Sequence, residues 1–414
     1  MRFVLVALAI ASSVLVMKAT LIYGLSRLLV TYSLTAGNLA AAKTAAELTP
    51  QDAETHLANA AMLSATGSPD QSVIEVERAV ALRPSDYGLW SQLGLLRDQL
   101  GDTAGALKAF DEAVKRAPYY SQPYWNRGNA LLRSGQYEAG FNDLNQAAQS
   151  NPELVPSLID LAWGLSRGDV KLTAQLAQIK TDNARLIFAK LLARQGRAQD
   201  SLAQFAAAAK VPEAIKHELI DQLLSKGAFK EAFSIWKTTN GLRDDKAPAS
   251  PTIYDGGFEG SLSLGQTGFG WRVPRDLQST SVSLDASEPQ SGLQSLRIEF
   301  SGDSSSGALV VSQIVPVEPA TRYRINFAAR SHDIVTGGLP LLVVNDASGD
   351  LKRLGLSAPL AKGNSGWQSF SFEFTTSPAT TAVVLSLQRE NCTTSPCPIF
   401  GSISLDSFSI EQLK

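Results

Sequence analysis

Cysteine is nearly missing from this chain: of 414 residues only Cys392 and Cys397 are cysteine, five positions apart in "NCTTSPCPIF" near the C-terminus. Histidine is almost as scarce, with His56, His217 and His332 dispersed along the sequence. A zinc centre needs four nitrogen or thiolate ligands brought together, and this supply is too thin for one. Net charge is lacking too. The 37 Lys+Arg and 39 Asp+Glu leave −2, so an affinity built on neutralising phosphates has no source and no nucleic-acid partner is expected. Residues 253–414 carry 11 basic and 15 acidic residues (−4), and the remainder 26 and 24 (+2), so neither half is a basic platform. Catalytic signatures are absent as well. There is no G-x-S-x-G, no phosphate loop ending in Gly-Lys-Ser/Thr and no H-E-x-x-H, and "GQTGFG" has the wrong glycine order for a dinucleotide turn. The carboxylates of the second half are scattered, without the marked pair a glycosidase uses. The chain is expected not to be an enzyme.

What is present begins with an apolar run, Phe3 to Met17, "FVLVALAIASSVLVM", behind Met1 and Arg2. Its 15 residues make a helix of about 23 Å, short of a hydrocarbon core of about 30 Å. Apolar character resumes after Lys18 in "ATLIYGLSRLLV". Residues 1–34 therefore read as a signal-anchor or transmembrane segment. No small-x-small cleavage site follows, which favours an uncleaved anchor over a removed signal peptide or a buried soluble helix. Lys18 and Arg27, beyond the run, count slightly against an outward-facing C-terminus.

The strongest pattern is a 34-residue period: Gly67, Gly101, Gly135; Ala45, Ala79, Ala113, Ala147; Pro50, Pro84, Pro118, Pro152. Small residues at Ala60, Gly94 and Gly128, and at Ser72, Ala106 and Gly140, let paired helices approach. Large ones such as Trp90, Tyr124, Phe110 and Leu144 fill the space between pairs. Glycine in the turn tolerates positive φ, and proline ends each second helix. The best copy, "WSQLGLLRDQLGDTAGALKAFDEAVKRAP", resembles a tetratricopeptide repeat, with Trp90, Gly94, Gly101, Ala106, Phe110, Ala113 and Pro118 at signature positions. The resemblance implies an α-solenoid over residues 35–239, about six hairpins, strict at 53–152 and looser around Gly196 and Gly227. It implies a protein or peptide partner held in the repeat groove. "GNLAAAKTAAELTP" matches only the second helix of a pair, so anchor and solenoid are expected to be nearly continuous.

Residues 240–252, "NGLRDDKAPASPT", read as a linker. Beyond it the period becomes two: "SLRIEF", "RYRINFAAR" and "WQSFSFEFTT" alternate, and "ALVVSQIVPV", "LPLLVVND", "AVVLSLQR" and "GSISLDSFSI" suit further strands. Eight or nine strands predict an antiparallel β-sandwich of jelly-roll type for residues 253–414. "YDGGFEGS", "GFGWRV", "SGLQSLRIEF" and "ISLDSFSI" resemble jelly-roll carbohydrate-binding modules of the cellulose- and xylan-binding type. That resemblance implies a polysaccharide partner and a structural calcium on Glu259, Asp406 and backbone oxygen near Ser291. Solvated or turn-capping carboxylates are the plainer alternative. The opposite parity of Leu405 and Phe408 predicts a bulge that turns Asp406 inward. For sugar contact the candidates are Arg330, His332 and Asp333, in a polar stretch entering a glycine-rich turn, and Phe269. Trp271 and Trp367 are expected in the core.

Cys392 and Cys397 then fall at a corner before the last strand, where an export-type N-terminus makes a disulfide the economical reading. The whole chain, α then β, reads as an inner-membrane-anchored envelope protein with its bulk in the periplasm. It would recruit a protein through its repeats and a polysaccharide through its β domain, by analogy with accessory factors of bacterial exopolysaccharide assembly or export. The rival reading is a protein-interaction or adhesive scaffold that touches no sugar.

Overall fold

The computed structural model describes residues 2–239 and 251–413, apart from 261, 265–267, 304–307, 350 and 393–395. Most of the expected linker therefore lies outside the described residues. The chain divides into two compact units, Met1–Ile179 and Lys180–Lys414, so the division falls inside the helical region rather than at 240–252.

The first unit is a run of helical hairpins. Helix α1 (Arg2–Ala36) is a single rod, followed by α2 (Leu39–Leu48), α3 (Ala53–Ala65), α4 (Pro69–Leu82), α5 (Tyr87–Gln99), α6 (Thr103–Arg116), α7 (Ser121–Arg133) and α8 (Tyr137–Ser150). The helices α9 (Val155–Leu165) and α10 (Val170–Leu176) form a shorter hairpin after residue 152. The end of α1 pairs with α2 as the missing partner helix. Buried Ser26 hydrogen-bonds the Ala45 carbonyl (3.1 Å) and the Thr49 hydroxyl (2.7 Å). Arg27 meets Asp52 at 2.8 Å. Residues 10–36 are long and apolar enough to cross a membrane.

Each hairpin closes for the reason its sequence suggests. Gly101 has φ +80°, and the Asp102 amide returns to the Arg97 carbonyl at 2.9 Å, satisfying a helix-end acceptor. At the crossing, a Cβ on Gly94 would lie 2.5 Å from the buried Phe110 ring, so only glycine admits that ring. Ser72 donates to the Ala60 carbonyl and Ser201 to that of Ala189, both at 2.8 Å, so a small polar residue at this crossing also bonds its partner helix. Trp90 is half-buried under the Arg116 guanidinium, 4.9 Å away.

The second unit joins two hairpins to the β region. Helices α11 (Asp182–Arg194), α12 (Ala198–Ala206), α13 (Glu213–Ser225) and α14 (Phe229–Thr239) share an apolar cluster with Phe269 from the β region. Trp236 meets Tyr254 edge-on at 4.8 Å, and Phe233 meets Phe269 at 5.0 Å. This aromatic joint explains why the compact unit begins at Lys180.

Two sheets follow. One has the order β1-β2-β5-β10-β7-β8, from β1 (Ser263–Leu264), β2 (Arg272–Val273), β5 (Ser312–Pro316), β7 (Pro340–Asp346), β8 (Arg353–Leu356) and β10 (Ala382–Arg389). The other is β3-β4-β11-β6-β9, from β3 (Thr280–Asp285), β4 (Ser295–Asp303), β6 (Arg322–Thr336), β9 (Gln368–Thr375) and β11 (Pro398–Gln412). Pairing is antiparallel apart from the short β1–β2 contact. The inward parity predicted from sequence builds one core: Leu296 and Ile298, Tyr323, Ile325 and Phe327, and Phe372 and Phe374 meet Leu342, Val344, Val383 and Leu385.

Candidate ligand-binding site

Residues of opposite parity cover the outer face of the five-stranded sheet. Ser283, Arg297, Ser404 and Arg330 stand in register across β3, β4, β11 and β6, and Ser281, Glu299, Ser402 and His332 form the next row. Of these, Arg297, Arg330, His332, Ser402 and Ser404 line a cleft of about 840 Å³ together with Ser331, Ser287, Glu288 and residues 364–367. Its end is tied by Glu288. The Arg330 guanidinium donates to the Glu288 carboxylate, and the Trp367 indole N–H donates to the Glu288 carbonyl at 3.2 Å. Arg330 also lies 5.2 Å from the Trp367 ring centre, a cation–π contact. Arg297 pairs with Glu299 at 2.7 Å and with Asp285 at 3.6 Å. The Ser287 hydroxyl, then its amide, hold the Asp285 carboxyl below the usual aspartate value, and Arg297 adds to the effect.

The sugar-contact candidates separate here. Arg330 and His332 line the cleft. Asp333 sits at a backbone irregularity, φ +53°, and exchanges hydrogen bonds with Asn364 (2.8 and 2.9 Å), which places it at the rim. Phe269 is a correction: it is 1% exposed and packed against Phe233 and Trp236, so it offers no face for a pyranose. Trp271 is buried in the core as expected. Trp367 is the second correction. It is half-buried on the outer face rather than packed in the core. The signal was available, because Phe370, Phe372 and Phe374 point inward and Trp367 has the other parity. Glu288 and Ser287 come from a loop whose position no periodicity announces.

Glu259, Asp406 and Ser291 are brought together, but not as an oxygen shell. The expected bulge is present: β11 shifts register between Asp406 and Ser409, and Ser407 has φ +57°. Asp406 is 0% exposed and accepts the amides of Gln290 (2.9 Å), Ser291 (3.0 Å) and Ser407 (2.5 Å). Both oxygens of Glu259 accept the Leu293 amide, at 2.9 and 3.1 Å. These carboxylates cap residues 290–293 by accepting backbone amides, the turn-capping role that was the plainer expectation. Among the described residues no cluster of three or more His, Cys, Asp or Glu side chains suits a metal.

In the repeats, the signature residues Gly94, Ala106, Phe110 and Ala113 are buried or close-packed and serve the fold. A different feature faces outward. Helices α3 and α5 are capped by Asp52 and Asp86, whose side chains accept amides of the first turn. At α7 that position is Tyr120, which makes no cap and instead rests 5.1 Å from the Tyr87 ring, beside Tyr119 at 87% exposure. A cap is worth about 1 kcal/mol, given up here for an exposed aromatic group. Cys392 and Cys397 form the disulfide expected at the corner before β11.

Comparison with known proteins agrees with the repeat. Residues 87–120 match the model of the tetratricopeptide repeat. A stretch of 101 residues is 32% identical to protein FlbA of Caulobacter vibrioides, covering 24% of this chain and only 17% of that relative's length. Among solved structures, MamA from Desulfovibrio magneticus RS-1 is 21% identical over 37% of this chain and 90% of its own, with TM-score 0.34. YrrB, described as a TPR protein with an unusual peptide-binding site, is 17% identical over 50% of this chain and 95% of its own, with TM-score 0.27. Residues 87–120 thus carry a tetratricopeptide repeat, set within a longer run of helical hairpins.

Proposed function

We propose that this chain is a non-catalytic, membrane-anchored envelope scaffold whose repeats hold a protein partner and whose β domain, read as a jelly roll, holds a polysaccharide. The carrying observation is the outer-face cleft. Five serines, of which Ser331, Ser402 and Ser404 are buried, converge there with two arginines, a histidine and an indole. Hydroxyls and planar cations suit sugar hydroxyls, and an indole suits the apolar face of a pyranose. The disulfide agrees with an extracytoplasmic compartment. Anchoring is supported by α1, where Phe3, Leu8, Leu15 and Leu21 stand exposed. That stretch rises about 28 Å as a helix, close to a hydrocarbon core. The exposed Tyr119 and Tyr120 supply the kind of rigid aromatic surface protein interfaces favour.

One observation favours the rival scaffold reading. Val335 and Phe400, opposite each other on β6 and β11, are both exposed and give the same domain an apolar spot suited to protein contact. Affinity electrophoresis of the detergent-solubilised chain through gels containing soluble polysaccharides separates the two. Retardation by one polymer that is lost in Trp367→Ala and Arg330→Ala supports the glycan reading. Unretarded migration in every gel by folded protein refutes it and leaves the protein scaffold.

A further inference from the structure

The disulfide corner contains a charged group that a plain structural bridge does not require. Arg389, at the end of β10, is 5% exposed. Its Nη2 lies 3.2 Å from the Cys397 sulfur, 3.0 Å from the Cys397 carbonyl and 2.7 Å from the Thr336 hydroxyl, and its Nε donates to the Gly338 carbonyl at 3.2 Å. The Cys392 sulfur is farther away, at 3.9 Å from the same nitrogen. Glu390, next in sequence, turns its carboxylate to the Leu339 amide at 3.2 Å. Gly337 and Gly338 close the other side, where a Cβ on Gly338 would come within 2.8 Å of the Cys392 sulfur. The two sulfurs are therefore unequal: the same buried cation reaches both, but at 3.2 Å to Cys397 and at 3.9 Å to Cys392.

We propose that Cys392–Cys397 is a thiol–disulfide exchange site, at which the thiolate of an external dithiol attacks Cys392 and Cys397 departs as a thiolate held by Arg389. The sulfur that leaves fastest is the one whose thiolate is best stabilised, and a guanidinium in hydrogen-bond range stabilises a thiolate. The steps balance. Attack forms a mixed disulfide on Cys392 and sends the electron pair of the broken bond to Cys397. The second thiol of the reductant then displaces Cys392 and closes its own disulfide. Two electrons and two protons pass from the dithiol to the protein. Arg389 holds Cys397 in place by its carbonyl throughout, so the corner is positioned to close again on oxidation.

The test uses the full chain in detergent, as the single-cysteine variants Cys392→Ser and Cys397→Ser, with the rate of alkylation by iodoacetamide followed against pH by intact mass. Cys397 is expected to reach half-maximal rate at least one pH unit below Cys392, about a tenfold larger thiolate ratio. Adding Arg389→Gln removes that advantage, and Arg389→Lys retains most of it. Coincident profiles for the two cysteines, or a Cys397 profile indifferent to Arg389→Gln, overturn the proposal. If Arg389→Gln does not fold, the comparison of the two single-cysteine variants decides alone. In the oxidised wild-type chain, brief exposure to glutathione followed by acid quench is expected to place the mixed disulfide on Cys392. Equal labelling of both cysteines contradicts the assigned direction of attack.

Discussion

Replacing Gly94 and Gly164 by alanine makes the same chemical change in two helices of the same type, and the packing predicts opposite results. A Cβ on Gly94 would stand 2.5, 2.6 and 2.8 Å from three carbons of the Phe110 ring, whereas a Cβ on Gly164 meets nothing within 4 Å. Ordinary contact begins near 3.4 Å, so the ring must retreat by about 1 Å inside a close-packed layer, an overpacking cost of about 1–3 kcal/mol. Both substitutions gain up to about 1 kcal/mol of helix propensity. Gly164→Ala should therefore stabilise α9 by up to about 1 kcal/mol, and Gly94→Ala should destabilise α5 and α6 by about 1 kcal/mol net. Hydrogen exchange of the intact chain reads both, because each 1.4 kcal/mol of opening free energy is about tenfold in rate. The two variants should differ by roughly five- to a hundredfold in the exchange of their own hairpins. Equal effects of one sign would refute the claim that the period of small residues marks helix crossings.

Other consequences follow from the same contacts. Asp406→Ala removes a buried carboxylate that accepts the Gln290 and Ser291 amides of the loop and the Ser407 amide of β11 and should cost about 1–3 kcal/mol, read as a lowered unfolding midpoint of the β domain. Because amides satisfy Glu259 and Asp406, a chelator should leave that midpoint unchanged, and a calcium-dependent shift would show that the loop can be rebuilt around a cation. Asp285 has its carboxyl held below the usual value, so its contribution is present above the unfolded-state value and is lost as pH falls through the folded one. Acid titration of the Ser287 amide signal by NMR should follow it, and in Asp285→Asn that acid step should vanish. Trp236→Ala removes the centre of the aromatic joint in the second unit and should cost about 3–5 kcal/mol, visible as faster exchange in α13 and α14.

Much of this was legible in the sequence because two periods act over long stretches. The 34-residue spacing located the hairpins through residue 152, since a turn that needs positive φ and a crossing that needs a small residue recur at fixed distances, and beyond it the turns at Gly196 and Gly227 mark the looser hairpins. The two-residue alternation placed β4, β6 and β9 with their inward faces correct, and the parity break at Asp406 located a real bulge. Phe269 failed because it lies outside any alternating strand, and what covers it is Phe233 and Trp236 from a distant helix. Trp367 shares the parity of Ser369 and Ser371, which turns it outward rather than into the expected core. The loop carrying Ser287 and Glu288 was unreadable, since its course is set by amides that reach Asp406 about 115 residues away.

The most direct measurement of the central claim is hydrogen exchange of the intact, detergent-held chain with and without the polysaccharide that retards it in the gel. The account predicts slowed exchange at residues 330–332, 364–368 and 402–404, with the helical repeats unchanged. Protection confined to the repeats, or to Val335 and Phe400 with the cleft unaltered, would contradict it.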